Sequence, residues 1–350
     1  MIRILIVDDS AFMRKMLTDV FTGQDGFLVI DTARNGKDAI DKVKRLKPDL
    51  VTMDVEMPIM DGMQALEVIM QDFPTPVVMV SSLTQAGADA TIRALALGAV
   101  DFVAKAAGPI SSVAAISEEL IVKCRSAVRA NVTRLALPIS KTVVSPVPLK
   151  TSVKTVPIFS NERVIAIGTS TGGPRALQEI ITKLPGNLPC GVVIVQHMPP
   201  GFTKSLADRL NSISSLTIKE AENNDVIRPG LVLIAPGDYH MTVETDGNKR
   251  LIKLNQSPPL AGHRPAVDPL FESVAKTYGS NATGVILTGM GHDGAKGMQA
   301  IKQQHGFTIA EDQSTAVVFG MPKSAIELGV IDKIAPINNI ASEIVKSVTK

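Results

Sequence analysis

Short apolar, β-branched runs alternating with amphipathic stretches constrain the first third of this chain more than any other feature. The runs lie at Ile2–Val7, Leu28–Ala33, Leu50–Met53, Val77–Val80 and Val100–Ala104, and the segments between them repeat apolar residues at helical spacing, as at Ala39, Ile40, Val43 and Leu46. That order predicts a parallel, doubly wound α/β sheet. In such a sheet the ligand site lies at the carboxyl ends of the strands. There the first, third, fourth and fifth strands end at Asp8-Asp9, Asp54, Ser81 and Lys105.

Three carboxylates at one sheet edge repel each other and raise their own pKa values unless a cation sits among them. All-oxygen ligation that leaves room for water and phosphate favours Mg²⁺. Lys105 can neutralise one phosphoryl oxygen and Ser81 can donate a hydrogen bond to another, so Asp54, on the middle strand, is the expected phosphoryl acceptor. With the run Asp54-x-x-Met57-Pro58-x-Met60-Asp61-Gly62, residues 1–125 resemble the receiver domain of two-component response regulators. The resemblance implies a five-stranded flavodoxin-like fold and phosphorylation at Asp54. It also implies Mg²⁺ bound by Asp8, Asp9, Asp54 and the backbone carbonyl of Glu56, with Ser81 and Phe102 as the switch hydroxyl and aromatic. One position departs from the family pattern: Ala106 follows the lysine where proline is usual.

Helical periodicity fades near Arg129. From Asn131 to Ser160 the chain is rich in Pro, Ser, Thr, Val and Lys, and Pro138, Pro146, Pro148 and Pro157 are too closely spaced for a helix. The expected plan is a receiver at 1–125, a linker at 126–160 and a second domain at 161–350.

The second domain is organised around Val164–Pro174. Its β-branched run stops at Gly168, and Pro174 opens a segment in which Leu177, Ile180, Ile181 and Leu184 recur at helical spacing. Ser170 therefore sits on a strand-to-helix turn. The frame Gly168-x-Ser170-x-Gly172 permits a tight turn that lifts a serine hydroxyl clear of the sheet, beside the free N–H groups of a helix start. Such a turn suits a nucleophile, although it can also simply end a strand or cradle a phosphate.

Further runs supply candidate partners. Gly191–Gln196 ends at His197, and strand-like runs at Leu231–Ala235, Met241–Thr245, Leu251–Leu254 and Gly284–Leu287 extend the α/β pattern. The last flows into Thr288-Gly-Met-Gly-His-Asp293-Gly294, so a serine, a histidine and an aspartate are each expected at the carboxyl end of a strand, where active sites of such sheets lie. His197 would take the proton of Ser170, and Asp293 would hold the imidazole and stabilise its charge. The chain order Ser, His, Asp differs from the Ser, Asp, His of the common lipases and esterases. Of the other histidines, His292 adjoins Asp293 and reads equally as a loop-surface histidine or a functional one. His240 and His263 lie in polar loops, and His305 follows a helix.

The turn Gly168–Pro174, the run Val195-Gln-His197-Met-Pro-Pro, Ala235-Pro-Gly-Asp-Tyr-His240, His263-Arg-Pro265 and Thr288-Gly-Met-Gly-x-Asp293-Gly together resemble the catalytic domain of the bacterial chemotaxis protein-glutamate methylesterases. With the receiver in front, the resemblance spans nearly the whole chain. It implies a triad of Ser170, His197 and Asp293, an oxyanion contact from the Met290 N–H, and no cofactor for the hydrolase. The implied substrates are glutamate methyl esters, and glutamines, on the cytoplasmic helices of chemoreceptors, with a chemotaxis histidine kinase as phosphodonor. The receiver is expected to inhibit by covering the second domain, docking near Phe102. A regulator whose second domain only binds receptors is the rival reading; the complete Ser, His and Asp set argues against it.

Composition narrows the remaining possibilities. A net charge of +2 gives no reason to expect a polyanion, and an aromatic content of 3% without Trp supplies few stacking platforms for nucleic acid. Cys124 and Cys190 lack metal-ligand spacing and are expected as buried thiols. Met1 leads straight into a strand-like run and no apolar run reaches membrane-spanning length, which predicts a cytoplasmic monomer.

Overall fold

The computed structural model describes residues 1–105, 111–130, 132 and 163–349; Ala106 and most of the expected linker lie outside them. In the first domain, strands β1 (Ile2–Val7), β2 (Phe27–Ala33), β3 (Leu50–Asp54), β4 (Val77–Ser81) and β5 (Asp101–Ala104) alternate with five helices. These are α1 (Ala11–Thr22), α2 (Gly36–Leu46), α3 (Gly62–Asp72), α4 (Gln85–Leu97) and α5 (Ser111–Ala127). The strands form one parallel sheet, as the alternation predicts, in the order β2-β1-β3-β4-β5. β3 and β4 are buried along their whole length, which is why they read as unbroken apolar runs. Ser10, Asn35, Asp61 and Thr84 cap the following helices by accepting backbone N–H bonds, so each loop at the carboxyl edge has a fixed exit.

The second domain holds seven parallel strands in the order β14-β13-β12-β6-β7-β9-β8. They are β6 (Val164–Thr169), β7 (Gly191–Gln196), β8 (Thr217–Glu220), β9 (Leu231–Ile234), β12 (Ala282–Ile286), β13 (Phe307–Glu311) and β14 (Lys333–Ala335). The helices around them are α6 (Gly173–Ile181), α7 (Phe202–Ile213), α8 (Val267–Tyr278), α9 (Ala295–Gln303), α10 (Met321–Glu327) and α11 (Ile337–Thr349). Leu177, Ile180 and Ile181 of α6 are fully buried, the outcome that their helical spacing demands.

One expectation is corrected here. The runs near Met241–Thr245 and Leu251–Leu254 do not join the parallel sheet; they form β10 (His240–Asp246) and β11 (Lys249–Asn255), a separate antiparallel hairpin. Only Gly247 and Asn248 connect them, and so short a link joins antiparallel neighbours only. Strands β8, β13 and β14 carry Thr, Lys or Glu in short runs, so no apolar signature announces them.

The two domains meet through α4, which packs against α6 and α7. Phe102 of β5 stacks on Phe202 of α7 with ring centroids 4.5 Å apart and planes at 24°. Both rings are buried, so this contact is continuous with the hydrophobic core.

Candidate active site

The receiver edge collects its charges because parallel strands all end on the same side. Carboxylate oxygens of Asp8, Asp9 and Asp54 lie within 4.8 Å of one another. Lys105 Nζ stands 2.7 Å from Asp54 Oδ2 and 3.1 Å from Asp8 Oδ2. Burial pushes the Asp54 carboxyl above its ordinary range and the Asp8 charge adds to this, against the hydrogen bond and charge of Lys105. Asp8 Oδ2 is buried and ion-paired, yet accepts no hydrogen bond. One ammonium facing three hard carboxylates leaves a charge and a ligand set that fit a small divalent cation. Glu56 lines the same small cavity as Asp9, Asp54 and Lys105. The Ser81 hydroxyl donates to the Gly87 carbonyl in α4 at 3.1 Å, linking the acceptor edge to the helix that touches the second domain.

In the second domain, register sets the site. Thr169 of β6 pairs with Gln196 of β7, so Ser170 and His197 stand one step beyond on adjacent strands, and the His197 N–H donates to the Thr169 carbonyl at 3.1 Å. Gly172 has φ +80°, a conformation that L side chains rarely adopt, and it turns the chain from Ser170 directly into α6. The Ser170 N–H donates to the Thr288 carbonyl at 3.0 Å. A Cβ at Gly289 would lie 2.9 Å from that of Ser170, so the loop after β12 runs against the serine.

Asp293 lies in that loop, several residues past the end of β12 and just before α9, rather than at the strand end itself. Its Oδ2 is 2.7 Å from His197 Nε2. Both oxygens are fixed from behind: Oδ2 accepts the Val267 N–H at 2.7 Å and Oδ1 the Asp268 N–H at 3.0 Å, at the start of α8. Burial alone would raise the Asp293 carboxyl, but the His197 hydrogen bond and charge and these two N–H groups hold it below the usual carboxylate range. His197 thus spends Nε2 on the aspartate, and its Nδ1 is buried without a partner. Among the described residues no hydrogen bond joins the Ser170 hydroxyl to His197. The N–H groups of Thr171 and Met290 likewise make none there, which leaves both free for an oxyanion.

Several supporting residues carried no signal in the sequence beyond a polar letter in an apolar run. Gln196 Nε2 donates to the carbonyls of Ser170 and His197, both at 3.0 Å. Glu311, ending β13, is buried and accepts the Thr288 N–H at 2.9 Å and the Thr315 hydroxyl at 3.0 Å. That burial pushes its carboxyl up to about 7. Thr288 Oγ1 in turn donates to the Thr171 carbonyl at 2.9 Å, so Glu311 props the loop behind the serine.

The four remaining histidines separate clearly. His240 is buried with Nδ1 on the Ala266 N–H and Nε2 on the Pro258 carbonyl, both at 3.2 Å, a structural role. His263 stacks on His197 with centroids 4.0 Å apart and planes at 12°. His292 is exposed, and His305 ends the α9 segment at φ +61°. Cys124 and Cys190 are both buried, and burial raises each thiol, Cys190 to about 12.

The receiver lies across this edge. Asp101 Oδ2 accepts the hydroxyl of Thr171, the residue after the serine; Gln85 Nε2 donates to Ser205 Oγ at 2.8 Å; and Ser126 abuts the Met290 sulfur. No described helix is long and apolar enough to cross a membrane.

Both domains have known relatives. Residues 165–344 match the family described as CheB methylesterase, and residues 4–117 match the response regulator receiver domain. The protein-glutamate methylesterase/protein-glutamine glutaminase of Symbiobacterium thermophilum is 49% identical over 354 residues, covering 99% of this chain and 97% of its own. That of Geobacillus kaustophilus is 48% identical over 347 residues, covering 99% and 98%. Among solved structures, the CheB methylesterase catalytic domain of Thermotoga maritima matches with a TM-score of 0.52 and 49% identity, over 53% of this chain and 97% of that one. With a receiver sheet, a parallel-sheet hydrolase domain and full-length relatives of this identity, the chain belongs to the protein-glutamate methylesterase/protein-glutamine glutaminase family, the receiver-linked CheB methylesterases.

Proposed function

We propose that the chain is a phosphorylation-regulated enzyme of chemotaxis adaptation in the cytoplasm that hydrolyses glutamate methyl esters on chemoreceptors, and deamidates receptor glutamines, with Ser170, His197 and Asp293 as its triad. The observation that carries the reading is the 2.7 Å bond between His197 and an Asp293 fixed by two backbone N–H groups, one strand step from Ser170. Ser170 attacks the side-chain carbonyl as its proton passes to His197 Nδ1, and the N–H groups of Met290 and Thr171 receive the oxyanion. His197 returns the proton to the leaving methoxide, releasing methanol, then draws a proton from the water that attacks the acyl group and passes it to Ser170 Oγ as the acyl–serine bond breaks and glutamate is freed. The glutaminase reaction differs only in releasing ammonia.

Asp54 is the acceptor of a phosphoryl group from a histidine kinase, and Asp8, Asp9, Asp54 and the Glu56 carbonyl would hold the Mg²⁺. When bound, Mg²⁺ neutralises phosphoryl charge during transfer. Lys105 pairs with the acceptor and Ser81 changes partner from Gly87 to the phosphoryl group. The unphosphorylated receiver inhibits: it sits on Thr171, Met290 and Phe202 and so blocks a helical substrate. The boundaries that follow are a receiver to about residue 125 and a catalytic domain from about 161.

Ser170→Ala tests the reading. The substitution removes one hydroxyl on a turn, so the thermal midpoint should be unchanged while methanol release from methylated receptor disappears. Release at a normal rate would refute the assignment.

A further inference from the structure

His263 is not needed by the triad, yet its ring stacks on the base. Its ring lies nearly parallel to that of His197 at 4.0 Å, and it makes no hydrogen bond among the described residues, so its face is the part in use. The loop that carries it is built stiffly. Arg264 Nε is 3.0 Å from Asp238 Oδ1, and its Nη1 donates to the Gln256 and Ser257 carbonyls, both at 3.1 Å. Leu260 and His263 exchange two backbone hydrogen bonds at 3.0 and 2.9 Å. These bonds fix the backbone from which the His263 ring projects.

The face of His197 needs such a neighbour. An imidazole is free to rotate about its last side-chain torsion in a broad, roughly two-fold well, and rotation would take Nε2 off Asp293. A parallel ring at van der Waals distance closes that well. The neighbour must also stay uncharged while His197 becomes imidazolium. Burial, then the His197 charge, and lastly Lys123 of α5 lower the His263 ring to about 4, against the opposing charge of Asp293. At neutral pH it is therefore a neutral π-face beside a developing cation, an attractive pairing.

We propose that His263 is a positioning residue for His197, fixing the plane of the base and stabilising its imidazolium through the ring face. This rests on the triad reading above. The test uses the full-length protein and methanol release from methylated receptor, followed as a function of pH. His263→Ala should lower kcat about tenfold, the scale of a lost stacking contact and a loosened base, with KM within about twofold. His263→Phe, which keeps the ring, should recover most of kcat and leave the acidic limb of the pH profile in place. His263→Lys, which puts a fixed charge in the slot, should move that limb to lower pH, as a position facing the imidazolium requires; the kcat-against-KM split and the rescue by His263→Phe separate a positioning role from a merely structural one. Thermal midpoints identify any variant that fails to fold, and His263→Phe decides if His263→Ala does. Wild-type kcat in His263→Ala, or no recovery in His263→Phe, overturns the proposal. Ser170→Ala, run alongside, separates this from failure of the triad itself, because only that failure leaves Ser170→Ala active.

Discussion

Replacing Asp293 by asparagine removes one charge and little else, and the surrounding donors define what must follow. Three N–H groups converge on this carboxylate: His197 Nε2 and the Val267 N–H on Oδ2, and the Asp268 N–H on Oδ1. An asparagine can turn its oxygen toward His197 and Val267 only by aiming its NH₂ at the Asp268 N–H. The tautomer of His197 survives, at the cost of a donor facing a donor, about 1–3 kcal/mol of stability. What catalysis loses is the charge facing the imidazolium. Two unit charges about 4 Å apart attract by roughly 4 kcal/mol at an effective dielectric of about 20, and that corresponds to about three decades in rate. Turnover of Asp293→Asn should fall about 10³- to 10⁴-fold with KM little changed, as measured by methanol release at neutral pH. The wild-type carboxyl is depressed, so its stabilising contribution is complete above the ordinary aspartate range and is lost as pH falls through the lowered value. The variant should lack that acid-side loss. Turnover within tenfold of wild type would refute a charge role for Asp293.

Three further outcomes follow from the same geometry. Asp54→Ala should abolish labelling by a small phosphodonor, and chelation of Mg²⁺ should stop labelling of the wild type while leaving unphosphorylated hydrolysis unchanged; labelling that survives either treatment contradicts the acceptor assignment. Asp101→Ala frees the Thr171 hydroxyl from the receiver and should raise unphosphorylated activity several-fold, because a contact of about 1 kcal/mol shifts a docking equilibrium by that much; an unchanged basal rate would show that the receiver does not inhibit through this edge. Glu311, raised to about 7 from an ordinary 4.5, favours the folded state when protonated, so stability should fall by about 3 kcal/mol as pH rises through that window. Glu311→Gln, whose amide oxygen can still accept from Thr288, should flatten that slope in thermal unfolding.

The sequence by itself determined the order of the main elements and the residues at their ends. Buried parallel strands must be apolar on both faces, so β1, β3, β4, β6 and β7 are plain to see, and residues that follow them, such as Asp8, Asp54, Ser170 and His197, fall at one edge of each sheet because the strands point the same way. Only the tertiary structure decided which residues of distant segments meet. Nothing local distinguishes His263, which stacks on the base, from His240, whose two nitrogens are taken by the Ala266 N–H and the Pro258 carbonyl. Glu311 reads as an edge charge until β13 is laid beside β12 and its carboxylate accepts the Thr288 N–H. Phe102 marks a receiver switch in sequence, but its stacking on Phe202, 100 residues away, depends on how two folded domains close on each other. Periodicity records the face on which a side chain is buried; it carries no information about the partner on the other side, because that partner is chosen by packing between segments whose separation along the chain leaves no local trace.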